Sequence, residues 1–275
     1  MSKNDLQPQE ISESGLQFFD FLADTGFTKH PGSLNSTLEL IELCHIGEGQ
    51  HILDVGCGVG ATPCYLAKQY GCRVIGVDIT PKMIEWSKER AKREGVEDTV
   101  EFRVADAQNL PFEDATFDAV ICESVVVFLE DKQRAVDEYA RVTKQGGYVG
   151  LNEMTLLKPS PADIEHPTEF LDHLSQVGGI AGGMLTAEEW TEFLRNAGLE
   201  GIVARSYQLD LRKEAKARFK RYRLRDMLGA FWRCGRMYLK DPSSKAFLKE
   251  TLKGTKHITK DILENPGYGV YVGIK

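Results

Sequence analysis

In the stretch HILDVGCGVGA (51–61), Asp54 stands two residues ahead of Gly56, pairing a carboxylate with a glycine loop. Glycines at a strand-to-helix turn let the backbone come close to a ligand that a Cβ would hold off. Read from Gly56, the loop fits G-x-G-x-x-A, a variant of the dinucleotide fingerprint, and equally G-x-G-x-G. Asp54 separates the two ligand classes. A pyrophosphate seeks bare N–H groups at a helix N-terminus, and a carboxylate beside it is a like-charge liability. Beside the ammonium of an amino-acid tail the same carboxylate is complementary, directly or through water. S-adenosylmethionine (SAM) carries an ammonium, a carboxylate and a sulfonium but no phosphate, so Asp54 favours SAM.

Further residues follow the same logic. Asp78 lies 18 positions after Gly60, where a carboxylate accepts both ribose hydroxyls, a feature that nicotinamide sites share. Ile79 and Met83 are expected on the two sides of an adenine ring, with core packing as the plainer reading of Met83. Asp106, in VADAQNLPF, is placed to accept from the adenine N6 amine; a turn-forming role ahead of Asn109 and Pro111 is its alternative. Acidic or glycine residues thus fall at the C-terminal ends of three successive strands, where open α/β sheets bind ligands.

These positions need a scaffold, and the hydrophobic pattern supplies one. HILDV (51–55), CRVIGVDI (72–79), VEFRVA (100–105), FDAVICES (117–124), YVGLNEM (148–154) and LEGIVARSYQL (199–209) read as strands. Between them fall helices: ATPCYLAKQYG, TPKMIEWSKERAKREG with Thr80 as N-cap and Pro81 at N1, DKQRAVDEYARVTKQGG closed by Gly146 and Gly147, and TAEEWTEFLRNAG with a Thr186–Glu189 capping box. Regular β–α alternation argues an α/β fold with a doubly wound, mostly parallel sheet. GYGVYVGIK reads as a last strand. The expected organisation is an N-terminal helical segment (1–48), a SAM-binding α/β core (49–209), a basic helical insertion (210–266) serving as lid or interface, and the last strand of the core sheet (267–275).

The bulk numbers fit one such domain. The chain has 275 residues, 42% hydrophobic and 27% charged, with net charge −7. MSKNDLQPQE has no apolar signal region, and the six cysteines form no C-x-x-C, so reduced thiols in a cytoplasmic protein are expected and no metal site is. The charge is uneven. Between Arg212 and Asp261, 16 Lys/Arg stand against 5 Asp/Glu, a local +11 that leaves −18 for the remainder. Three roles stay open for this segment: a lid or dimer partner, a transient contact with an anionic membrane surface, or a contact with nucleic acid.

ILDVGCGVG, GVDIT, VADAQNLPF, FDAVICES and GGYVGLNE, in that order, resemble the class I SAM-dependent methyltransferases, most of all the branch acting on quinone precursors, phosphoethanolamine and sterols. The resemblance covers roughly residues 30–155. It implies a Rossmann-like, seven-stranded sheet whose last strand is antiparallel and inserted between strands five and six. It also implies SAM contacts at Gly56, Cys57, Gly58, Asp78, Ile79, Asp106, Ala107 and around Glu123. HPGSLNST (30–37) resembles the family's segment that closes over the methionine end, with Gly32 and Ser33 as its weaker matches.

Methyl transfer from a sulfonium is an in-line displacement with a neutral leaving group, so no catalytic dyad is required. No catalytic residue is assigned. Glu153 and His30 are candidates for a base, with a structural or substrate-orienting contact the favoured reading of each. After strand four, ESVVVFL lacks the Asn/Asp-Pro-Pro-aromatic motif of exocyclic-amine enzymes on nucleic acids, the Pro-Cys nucleophile of cytosine-C5 enzymes is missing, and no acidic triad suggests a magnesium site. The expectation is a methyltransferase acting on a small, lipophilic acceptor, as a monomer or homodimer, with nucleic acid disfavoured as a partner. An RNA methyltransferase, a non-catalytic SAM-binding protein and a nicotinamide enzyme are the competing readings.

Overall fold

The computed structural model describes residues 32–157, 185–209 and 266–275, together with Trp232 and Leu239. Helix α1 (Ser33–Leu43) leads into β1 (His51–Val55), α2 (Ala61–Tyr70), β2 (Arg73–Asp78), α3 (Pro81–Glu94), β3 (Val100–Val104) and β4 (Phe117–Glu123). A 3-10 turn (Val126–Phe128), α4 (Lys132–Val142), β5 (Thr143–Leu156), β6 (Leu185–Thr186), α5 (Ala187–Asn196), β7 (Glu200–Gln208) and β8 (Pro266–Ile274) complete the described order.

The strands form one sheet in the order β3-β2-β1-β4-β5-β8-β7, with β6 paired to β5 beside this path. Strands β1 to β5 run parallel, and β8 lies antiparallel between β5 and β7. The expected architecture, including the inserted last strand, is the observed one. Its strand count is corrected from seven to eight: Leu185 and Thr186 pair with Thr155 and Leu156 just before the Thr186 capping box. A two-residue strand has no periodicity to read.

The sheet has two apolar faces. On one, Leu40 of α1 and the following Cys44, Leu66 of α2 and Ile84 of α3 pack with Ile52, Val74 and Ile121. On the other, Val136 and Tyr139 of α4 and Trp190 and Leu194 of α5 pack with Leu53, Val120, Leu151 and Tyr271. The buried Trp190 also satisfies its indole N–H on the Met154 carbonyl, 3.1 Å away.

One local expectation is corrected. The helix read over 131–147 ends at Val142. Thr143 adopts extended backbone, donates its hydroxyl to the Tyr139 carbonyl at 2.7 Å and pairs with Phe117. Gly146, read as a helix stop, sits at φ 78 within an irregular part of β5, where its N–H donates to the Lys275 carbonyl at 2.7 Å. Thr80 occupies the N-cap position of α3 but makes no side-chain cap bond; Asp78 Oδ1 accepts the Thr80 N–H instead, at 2.9 Å. Of the expected helical segment 1–48, residues 1–31 lie outside the described residues. So does the insertion over 210–265, apart from Trp232 and Leu239, which are helical and exposed.

Candidate active site at the C-terminal strand ends

The C-terminal ends of β1, β2 and β4 carry three carboxylates, Asp54, Asp78 and Glu123, on the sheet face covered by α1, α2 and α3. Strand pairing fixes this. Asp54 is in register with Gly76 and Ile121, and Asp78 and Glu123 each stand one pleat further along their strands.

Asp54 is 3% exposed, and no hydrogen bond from the described residues reaches its carboxylate. Burial pushes it well above the usual carboxylate range, and the charges of Glu123 and Asp78 push it further. Asp78 is raised by burial too, but held back by the Thr80 N–H and by the Gly58 N–H, 3.0 Å from its Oδ2. The first loop is thereby tied to the end of β2.

The glycine loop is shaped by contact. Gly56 sits at φ 75 and donates its N–H to the Val77 carbonyl at 2.8 Å; a Cβ there would lie 2.0 Å from Val125 Cγ2. Gly60, at φ 73, caps α2 where a Cβ would meet Ser87 at 2.8 Å and Phe102 at 2.9 Å. Cys57 is buried, and burial drives its thiol well up, so it stays protonated and unreactive. Arg90 reaches back from α3 to donate to the Val59 carbonyl at 2.8 Å.

Beyond β2, Ile79 is 37% exposed, and Met83 is buried against Val59 and Trp86. Met83 therefore has the core packing that was its plainer reading. Asp106 forms the turn that was its alternative: its Oδ1 accepts the Gln108 N–H at 2.9 Å, and it bridges to Asn109. Ala107 is buried in the second core. Helix α4 pins this loop. Arg134 donates to the Gln108 carbonyl, Arg141 to the carbonyls of Leu110 and Phe112, and Glu138 accepts the Leu110 N–H. The spacing Arg134, Glu138, Arg141 is a helix-face signal that the apolar stripe alone did not reveal.

Glu123 is buried and held from two helices. Thr37 of α1 donates to Oε2 at 2.9 Å, and Thr62 of α2 donates to Oε1 at 2.8 Å. Next to it, Asn152 Nδ2 donates to Ser36 Oγ at 2.9 Å. Gly32 caps α1 at φ 81. Ser36, Thr37, Thr62 and Asn152 were not singled out from the sequence. Only the position of Ser36 and Thr37 inside HPGSLNST pointed to them. Of the two base candidates, Glu153 is fully buried beneath the turn after β4, and His30 lies outside the described residues. Among the described residues no group of three or more His, Cys, Asp or Glu side chains could hold a metal ion, and no helix is long and apolar enough to cross a membrane.

An open α/β sheet with acidic and glycine residues gathered at the strand ends is a doubly wound nucleoside-binding architecture. Residues 53–151 match a family model described as a methyltransferase domain. The chain is 29% identical over 191 residues to a phosphoethanolamine N-methyltransferase of Triticum aestivum, covering 70% of this chain and 36% of the relative. It is 32% identical over 177 residues to a 27-O-demethylrifamycin SV methyltransferase of Amycolatopsis mediterranei (strain S699), covering 64% of each. It thus spans little more than a third of the length of the first relative. Among solved structures, a phosphoethanolamine N-methyltransferase 2 of Haemonchus contortus in complex with SAM superposes with a TM-score of 0.65 at 21% identity, over 95% of this chain and 57% of that one. The methyltransferase domain matched over residues 53–151, together with these likenesses, indicates a class I SAM-dependent methyltransferase, a family whose cofactor is SAM.

Proposed function

We propose that the protein transfers a methyl group from SAM to a small-molecule acceptor at the C-terminal edge of its sheet. The observation that carries this reading is Asp54, a buried carboxylate with no hydrogen-bond donor among the described residues and two further carboxylates on its face. Such a group calls for a cation, and SAM brings an ammonium and a sulfonium to this end of the sheet.

The remaining residues fit the same ligand. In this reading Asp54 receives the ammonium, directly or through water. Gly56, Cys57 and Gly58 give backbone access, and Asp78 accepts the ribose hydroxyls. Ile79 lies against the adenine, Asp106 and Ala107 meet its edge, and Gly32 with α1 closes the methionine end. Glu123 supports this closure through Thr37 and Thr62. When bound, SAM supplies an electrophilic methyl whose departure leaves a neutral thioether, so the chain's task is to align the acceptor and exclude water. A base is not demanded, and the burial of Glu153 keeps it from that role.

Two relatives are named for small molecules, phosphoethanolamine and 27-O-demethylrifamycin SV, and they support a small-molecule acceptor here. The test is transfer from methyl-labelled SAM to a panel of phosphorylated amines and hydroxylated lipophilic compounds. Labelled product from one class is expected. Binding of SAM with no product from any panel or from a cell extract would contradict the reading.

A further inference from the structure

The exit of β4 is held by three consecutive amides. Ser124 N–H donates to the Asn152 carbonyl at 2.8 Å, and the next two, of Val125 and Val126, donate to Glu153 Oε1 at 3.0 and 2.9 Å. Both acceptors, the Asn152 carbonyl and Glu153 Oε1, belong to neighbouring residues of β5. Between them Ser124 adopts φ 59, a left-handed conformation that a residue with a Cβ enters at a cost. That twist seats Val125 against Gly56, where its Cγ2 fills the space a Cβ would take.

We infer that Glu153 is a positioning residue for the methyl-transfer site: it holds the strained Ser124 turn, which presses Val125 onto the glycine loop and fixes the loop's conformation. The inference rests on the proposed function and adds a residue that touches neither cofactor nor acceptor.

Three observations support it. Glu153 is fully buried, and among the described residues its Oε2 has no hydrogen-bond partner, so the hydrogen bonds its side chain makes there go to this turn. The groups facing it are Cys122 of β4, Lys132 and Tyr139 of α4, and Tyr271 of β8. Burial pushes the two tyrosines and the cysteine up, so they remain neutral, and Lys132 is the facing cation. Strain at a non-glycine residue persists where surrounding contacts over-determine it, as three amide bonds do here.

The test compares wild type, Glu153→Met, Glu153→Gln and the double variant Ser124→Gly with Glu153→Met. Methionine fills the space without an acceptor, and an apolar group of similar volume in place of a buried charge is commonly tolerated. Hydrogen exchange is read on the ligand-free proteins, then SAM affinity by calorimetry. Glu153→Met is expected to speed exchange of the Val125 and Val126 amides and weaken SAM, each by about tenfold, while the amides of Val120 and Ile121 stay protected. Glu153→Gln keeps an acceptor and should keep both properties. Ser124→Gly, which enters the left-handed conformation freely, should restore most of the affinity lost in Glu153→Met.

Unchanged exchange in Glu153→Met, or loss spread through the whole β4–β5 ladder, would overturn the assignment, as would a Glu153→Met protein that binds SAM like wild type. If Glu153→Met does not fold, loss of both amides' protection in Glu153→Gln overturns it. A wild type that does not bind SAM would instead overturn the proposed function, leaving the turn to be decided by exchange.

Discussion

Glu123 and Asp54 share one face of the sheet on neighbouring strands, one pleat apart, and the Glu123 charge helps push the Asp54 carboxyl upward. Glu123 has its own donors in Thr37 and Thr62. Asp54 has none among the described residues. The site therefore carries an uncompensated carboxylate, which is costly in the ligand-free protein and favourable once a cation arrives.

Asp54→Asn should separate these two effects. Removing the charge is expected to raise the melting temperature of the ligand-free protein while weakening SAM by about 10- to 100-fold, the scale of one charge-assisted hydrogen bond. Thermal unfolding and calorimetry on the same preparation check this. A variant that loses stability and keeps its affinity would contradict it.

The pH dependence of stability follows from the same cause. Asp54 and Glu153 both have carboxyls raised by burial, Glu153 from the ordinary 4.5 to about 7. The folded state thus holds protons that the unfolded state has released, and stability falls as pH rises from the unfolded value through the folded one. For Glu153 that window is 4.5 to about 7, with a loss of about 3 kcal/mol across it. Denaturant unfolding of the ligand-free protein at pH 5 and pH 8 should find it more stable at pH 5. Glu153→Gln and Asp54→Asn should each reduce the difference.

Gly56→Ala places a methyl group 2.0 Å from Val125 Cγ2 at a backbone φ of 75. Strain and overlap together are expected to cost about 2–4 kcal/mol. Adding Val125→Ala should recover the overlap but not the backbone strain, so partial restoration in denaturant melts is the expected outcome.

Thr62→Val removes one of the hydroxyls that donate to the buried Glu123 without changing side-chain shape. The expected cost is about 1.5–3 kcal/mol, the price of a hydrogen bond to a charged group. Thr37→Val should cost a similar amount and, because Thr37 lies on α1, speed proteolysis at Ser33–Leu43 more than Thr62→Val does. Limited proteolysis of both variants tests this.

Much of the architecture was legible because its signals are local. HILDV is β1 residue for residue, Gly71 and Gly95 stop their helices in left-handed conformations, and the Thr186–Glu189 capping box is present. The helix ending at Val142 was not legible, because the glycine pair that looks like a stop lies inside β5, a choice made by pairing with Phe117 and by the Lys275 carbonyl. In the site, Asp54, Gly56 and Asp78 could be read from their places beside a strand end. The partners of Glu123 could not, since Thr37 and Thr62 lie 86 and 61 residues away in sequence. Nor does any pattern show that Glu153 turns beneath the sheet edge to take two amides, because that depends on the left-handed turn at Ser124.

The central claim is that the glycine loop with Asp54 beside it receives the cationic amino-acid end of SAM. Calorimetric titration of the wild-type chain with SAM and, separately, with NADH tests it most directly. One molecule of SAM bound per chain and no heat from NADH is the predicted result; saturable binding of NADH with none of SAM would contradict it.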